Sequence, residues 1–145
     1  MTHVGLVAED KFRMSVASKI FSKVTTAKLT NIDEIICPCG KCDYHQCGLY
    51  VLYGDCEAIL YVGQIKPEKD SSLRVRMQEH KRTDAWFGKV RFVRFRPFPY
   101  LGQMQLDVAE RLLIMSSHQP PYNDKDTSVE NLNEYIWDDF MLAQK

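Results

Sequence analysis

The sequence predicts an α/β (α+β) fold: a small three-stranded antiparallel sheet flanked by helices, preceded by an extension with one helix and many cysteines. Three observations carry this. GLYVLY (48–53) and AILYVG (58–63) are strand-like runs separated by Gly54-Asp55-Cys56-Glu57, a turn signal between apolar, aromatic-containing segments. KVRFVRFRP makes a third run and stops at Pro97, whose missing N–H cannot extend a ladder. The segments around these runs have apolar residues three and four apart, the spacing of amphipathic helices.

Taken in order, residues 10–24 predict a helix, with Phe12, Val16, Ile20 and Val24 four apart. A cysteine-rich stretch leads into the hairpin. KPEKDSS reads as a loop in which Asp70, Ser71 or Ser72 can cap a helix over LRVRMQEHKR, because a side-chain oxygen there accepts an otherwise unpaired N–H. QMQLDVAERLLIMSSH predicts the longest helix, closed by Gln119-Pro120-Pro121, and SVENLNEYIWDDFMLA a final amphipathic one. A chain of 145 residues suits a single domain, since two cores would each be too small. Within it, 1–47 is the extension, 48–123 the core and 124–145 a C-terminal helix.

Composition is that of a globular chain, 45% hydrophobic and 26% charged. No apolar run approaches the ~18 residues that span a bilayer, and MTHVGLVAEDKFR lacks the apolar core of a secretion signal, so a cytoplasmic, reducing setting without membrane contact is expected. The net charge of zero is unevenly spread. Residues 73–96 hold eight lysines and arginines against two acids, and residues 97–145 three against eight. A local basic stripe suits a phosphate-bearing partner.

Several polar residues sit where packing alone does not ask for them. A two-residue turn at Asp55-Cys56 would set Tyr50 opposite Tyr61 on one side of the sheet. On the first core helix, Leu73 and Met77 mark the buried stripe, with Arg76 and His80 stacked four apart on its flank, where both can act on one anion. Glu110 shares a helix face with Leu106, Leu113 and Ile114. A carboxylate there requires a partner, which a divalent cation or a buried arginine could provide. Asp107 and Arg111 point to the polar side.

In order along the chain, Gly48-Leu49-Tyr50, Tyr61-Val62-Gly63, Arg76-x-x-x-His80, Glu110 and Asn123 resemble the GIY-YIG nuclease superfamily. The resemblance covers about half of the chain, from Gly48 to Asn123. It implies a DNA endonuclease that hydrolyses a phosphodiester with one Mg²⁺ or Mn²⁺ ion. By that resemblance Glu110 holds the ion, Arg76 the phosphate, and Tyr50 is the general base, with Tyr61 and His80 in its proton network. Gly63 gives steric room and Asn123 is a neutral prop. A free phenol is a poor base at neutral pH, so Tyr50 would need nearby positive charge to lower its pKa. Arg74 is the alternative to Arg76, but only Arg76 keeps the four-residue step to His80. Lys81, Arg82, Lys89, Arg91, Arg94 and Arg96 are candidate DNA contacts, although a strand aims its side chains both ways. One active site cuts one strand, so a double-strand break would require a homodimer or two visits. The competing reading is a non-catalytic nucleic-acid- or partner-binding module on the same scaffold.

Cys37, Cys39, Cys42 and Cys47 lie outside the compared motifs, with His45 among them. The C-x₂-C spacing of Cys39 and Cys42 suggests a structural Zn²⁺, with Cys37, Cys47 or His45 completing its ligands.

Overall fold

GLYVLY is buried at all six of its positions, which places it in the middle of a sheet covered on both faces. The structure, a computed structural model, describes residues 15–37 and 44–123. Helical residues 15–25 (α1) lead to β1 (Leu29–Asn31), α2 (Ile32–Ile36), β2 (Gly48–Tyr53), β3 (Ile59–Ile65), α3 (Leu73–Thr83), β4 (Phe92–Pro97) and α4 (Gln103–Ser116). The fold is α+β, and its sheet has four strands in the order β1-β4-β2-β3, all neighbours antiparallel.

The expected three-stranded sheet is therefore corrected to four. The added strand is only three residues long and pairs Leu29 with Arg94 at the far edge. So short a run carries no alternation of its own, and it is held in part by Arg94 Nη1, which donates to the Ala27 carbonyl at 2.6 Å. The short helix α2 follows directly, capped by Asn31 and tied to α3 by Arg74 Nε donating to Ile35 O at 2.8 Å. The expected helix at 124–145 lies outside the described residues.

Alternation along the strands divides the core in two. Leu49, Val51 and Val62 face α1 and α4, through Val16, Ile20, Leu106, Leu112 and Leu113. Tyr50, Leu52, Ile65, Val93 and Phe95 face α2 and α3, through Ile32, Ile35, Leu73 and Met77. Helices thus cover both faces, and β3 remains an edge. Ser72 caps α3 by accepting from Val75 N at 3.1 Å.

The hairpin register also differs from expectation. Tyr50 pairs with Gly63, and Tyr61 with Leu52. The connection is longer than two residues: Gly54 N donates to Ala58 O, while Cys56 and Glu57 take left-handed φ of 59°. Because the register moves by two residues, Tyr50 and Tyr61 keep the same face but sit diagonally, ring centroids 6.1 Å apart. Gly63 then acquires a definite job. A Cβ there would overlap the Tyr50 ring and hydroxyl, so glycine makes room for the phenol to lie across the neighbouring strand. Gly48 has a similar constraint, since a Cβ would overlap the Arg96 carbonyl.

Gly63→Ala should therefore destabilise the fold by about 1–3 kcal/mol through overpacking, read by denaturant unfolding. The loss should shrink in a Tyr50→Ala background; an equal cost in both backgrounds would show that the phenol is not what Gly63 accommodates.

Candidate functional site

The first two helices of the core, α3 and α4, cover opposite faces of the sheet, yet Arg76 and Glu110 line the same two cavities, of about 380 and 500 Å³. They meet around the open edge of β3. Gln64 and Lys66 lead into the smaller cavity with Ser71, and Tyr61, His80, Asp84, Trp86, Arg111, Tyr122 and Asn123 line the larger one. Glu110 belongs to a helix stripe whose other members, Leu106 and Leu113, are buried on the sheet, and it lies on the flank that reaches past the edge strand.

Tyr50 is the innermost member. It has no exposed surface, and its hydroxyl lies 2.7 Å from His80 Nε2, with the positive charge of Arg76 close enough to act on it. His80 is itself 2% exposed, and its Nδ1 lies 2.6 Å from Asp84 Oδ2. Arg76, with a side chain 39% exposed, also donates to Glu79 at 3.0 Å. Tyr61 packs against His80 at 5.0 Å and stacks on Trp86, which stacks on Tyr122.

Glu110 has a hydrogen-bonding partner that the sequence did not single out. Gln64 Nε2 donates at 2.8 Å to Glu110 Oε2 and also at 2.8 Å to Asp107 Oδ1, and Gln103 links the other end of the Gln64 amide to Asp107. Two carboxylates thus converge on one amide group. Asp107 and Arg111, set aside in the sequence as polar-side residues, border the site; Gln64, Asp84, Trp86 and Tyr122 were not singled out either. Gln64 follows the Tyr-Val-Gly run directly, and Asp84 stands four residues after His80, spacings that hinted at both.

Burial sets the electrostatics. It pushes the Tyr50 phenol well above its ordinary pKa, Tyr61 adds to the rise, and Arg76 opposes it only in part. Burial likewise raises Tyr61 and Glu110 and lowers His80, where Asp84 acts in the opposite sense. For Arg76 burial disfavours the charge, but Tyr50 and Glu79 outweigh it and its pKa is raised. Arg76 does act to lower the Tyr50 pKa, as the sequence required, but in a closed core the cost of desolvating a phenolate exceeds the attraction of one guanidinium.

Asn123 serves the edge of the sheet. Its Oδ1 accepts from Val62 N at 2.9 Å and its Nδ2 donates to Val62 O at 2.8 Å, completing the ladder as a neighbouring strand would. Tyr122 N donates to Leu60 O beside it.

The basic stripe divides. Lys89 stands beside Tyr122, 3.2 Å from its hydroxyl. Lys81 and Arg82 are exposed at the end of α3. Arg91 bonds the Gly88 carbonyl and faces Asp55. Arg94 lies over the Tyr53 ring on the opposite face of the sheet, so it is a sheet-edge anchor and not part of a track with the others. Arg74 is occupied by α2, leaving Arg76 at the cleft.

For the zinc expectation, Cys39 and Cys42 lie outside the described residues. Cys37 is disulfide-bonded. Cys47 is buried, its Sγ directed at the carbonyls of Phe98 and Leu101 at 3.3 and 3.9 Å, and burial raises its thiol pKa. His45 is exposed.

No known protein family, curated protein or solved structure matches the chain. Among the described residues no helix is long and apolar enough to cross a membrane.

Asn123→Ala should leave the Val62 N–H and C=O without their partners and speed hydrogen exchange at the Val62 amide by about tenfold, roughly 1.4 kcal/mol of local protection. Unchanged exchange there would mean that the side chain does not hold the edge.

Proposed function

We propose that the protein is a GIY-YIG-type endonuclease that hydrolyses a DNA phosphodiester at the cleft beside β3. The observation that carries this reading is the convergence of Arg76 and Glu110, from helices on opposite faces, on the same two cavities. A guanidinium presents a fork of donors matched to a phosphate. Gly48-Leu49-Tyr50 and Tyr61-Val62-Gly63 on adjacent strands, with Arg76 and His80 above them, fit the same assignment.

The donor set near Glu110 fits a hard divalent cation. Its oxygens come from Glu110 and Asp107, drawn together on the Gln64 amide, and Mg²⁺ or Mn²⁺ commonly keeps several waters while using one or two protein carboxylates. Among the described residues no three His, Cys, Asp or Glu side chains form a ready metal cluster, so substrate and water oxygens would complete the shell. Such an ion would supply positive charge to the phosphate and the departing oxygen. Gln64 holds the carboxylates together until then, and Arg76 orients the phosphate and neutralises charge as the fifth oxygen approaches.

Tyr50 is the general base in this reading, acting as a relay. Burial makes a standing phenolate costly, so Tyr50 takes a proton from water only as it passes its own to His80 Nε2. Water would reach the phenol as Arg76 swings from Glu79 toward the phosphate, a move suited to a side chain that is 39% exposed. Lys81, Arg82, Lys89 and Arg111 would hold the flanking DNA in this reading, and a double-strand break would come from a homodimer or two visits. The complete burial of Tyr50 is the one feature that favours the second reading, a nucleic-acid-binding module without catalysis.

Nicking of supercoiled plasmid in Mg²⁺ or Mn²⁺ separates the two. Wild type should cut; Glu110→Ala, Arg76→Ala and Tyr50→Phe should each be slowed by about 100-fold or more, with Glu110→Ala and Tyr50→Phe still binding DNA. Glu110→Ala protein that nicks at the wild-type rate would remove the metal assignment, and wild type that binds DNA without cutting in either metal would leave the binding module.

The pH dependence has a definite sign. His80 is lowered from 6.5, so it is neutral and able to accept a proton at pH 7. Its protonation on acidification should reduce the cleavage rate by roughly tenfold per pH unit below that lowered pKa. An acid limb left unchanged by His80→Gln would take His80 out of the proton path.

A further inference from the structure

Asp84 ends α3 and is fastened to the same turn as His80. Its backbone N–H donates to His80 O at 2.8 Å, its carbonyl accepts from Phe87 N at 3.0 Å, and its Oδ2 lies 2.6 Å from His80 Nδ1. A carboxylate only accepts hydrogen bonds, so this contact places the proton of the neutral imidazole on Nδ1. The lone pair of Nε2 then faces the Tyr50 hydroxyl at 2.7 Å, and the phenol must donate to it. The opposite tautomer would set a lone pair against the carboxylate and, with Nε2–H donating to Tyr50 Oη, turn the phenol proton away from His80.

We propose that Asp84 is the positioning residue of a Tyr50–His80–Asp84 proton relay, holding His80 in the Nδ1–H form so that Nε2 receives the Tyr50 proton. The inference deepens the nuclease reading and rests on it for its kinetic consequence only. In the step, a water proton goes to Tyr50 Oη while the Tyr50 proton goes to His80 Nε2. The water oxygen bonds phosphorus, and the bond to the 3′ oxygen breaks with its electron pair leaving on that oxygen, which takes a proton from solvent. His80 becomes an imidazolium paired with the Asp84 carboxylate and afterwards releases its proton to solvent.

The surroundings of the imidazole suit this role. Tyr50 from β2 and Tyr61 from β3 face it, with Arg76 and Glu79 from its own helix and Asp84 at its end. Trp86 and Phe87 close the remaining sides at ring distances of 5.4 and 6.1 Å. The side chain of His80 is 3% exposed and that of Asp84 32%, so the relay runs from a dry phenol to a carboxylate at the cleft wall.

Two measurements on the full chain test it. Imidazole ¹⁵N and ¹H NMR of the free protein should find His80 protonated at Nδ1, and Asp84→Asn should shift it toward Nε2–H, because an amide can also donate. In single-turnover nicking, Asp84→Asn should slow cleavage by about 10²- to 10⁴-fold while DNA affinity and melting temperature hold. Its acid limb should move to lower pH, since the lost carboxylate no longer favours the imidazolium, and Asp84→Glu should recover part of the rate. An Nε2–H tautomer in the wild type overturns the proposal, as does an Asp84→Asn protein with unaltered tautomer and pH profile. Wild type that cuts no DNA defeats the nuclease reading instead, and the wild-type tautomer then decides the role of Asp84 by itself.

Discussion

A phenol hydroxyl sealed inside an apolar layer constrains much of this molecule. Tyr50 sits on a strand buried on both faces, so its oxygen cannot turn to solvent, and an unpaired buried hydroxyl would cost on the order of 1–3 kcal/mol. His80 satisfies it. That requirement sets the rotation of α3: Leu73 and Met77 pack on the sheet, and the flank bearing Arg76 and His80 lies over Tyr50. Gly63 completes the arrangement from the adjacent strand by leaving the space the ring occupies.

Location follows from topology. A sheet separates whatever packs on its two faces, and side chains from both sides can meet only around an edge. The strand β3 is that edge. Glu110 on α4 and Arg76 on α3 come together there, while Asn123 pairs with the open backbone of Val62 and protects an edge that would otherwise be free to add a strand. The cleft is thus a consequence of leaving one strand partly uncovered between two helices.

Burial biases Tyr50, His80 and Glu110 toward their neutral forms, while Arg76 beside them keeps its charge. Under the proposed reaction the charge arrives with the phosphate and its cation, and the hydrogen-bonded line through Tyr50, His80 and Asp84 offers a path for a proton without a long-lived phenolate.

Some of this could be read from residues alone. The two hairpin runs, the phase of α3 with Arg76 and His80 on one flank, and the anomaly of Glu110 among leucines each depend on the periodicity of a single element, which the chain displays locally. The three-residue β1 and the five-residue α2 were not visible because nothing so short has a period; contacts from Arg94 and Arg74 hold them. The pairing of Tyr50 with Gly63 depended on a turn with left-handed residues that are not glycine. Likewise, Gln64 and Asp107 joined Glu110, and Arg94 went to the far face, through register and helix placement. By itself the sequence determined which residues share a face of each strand or helix. The tertiary structure decided which faces meet, because distances between elements are set by packing and pairing that no single segment encodes.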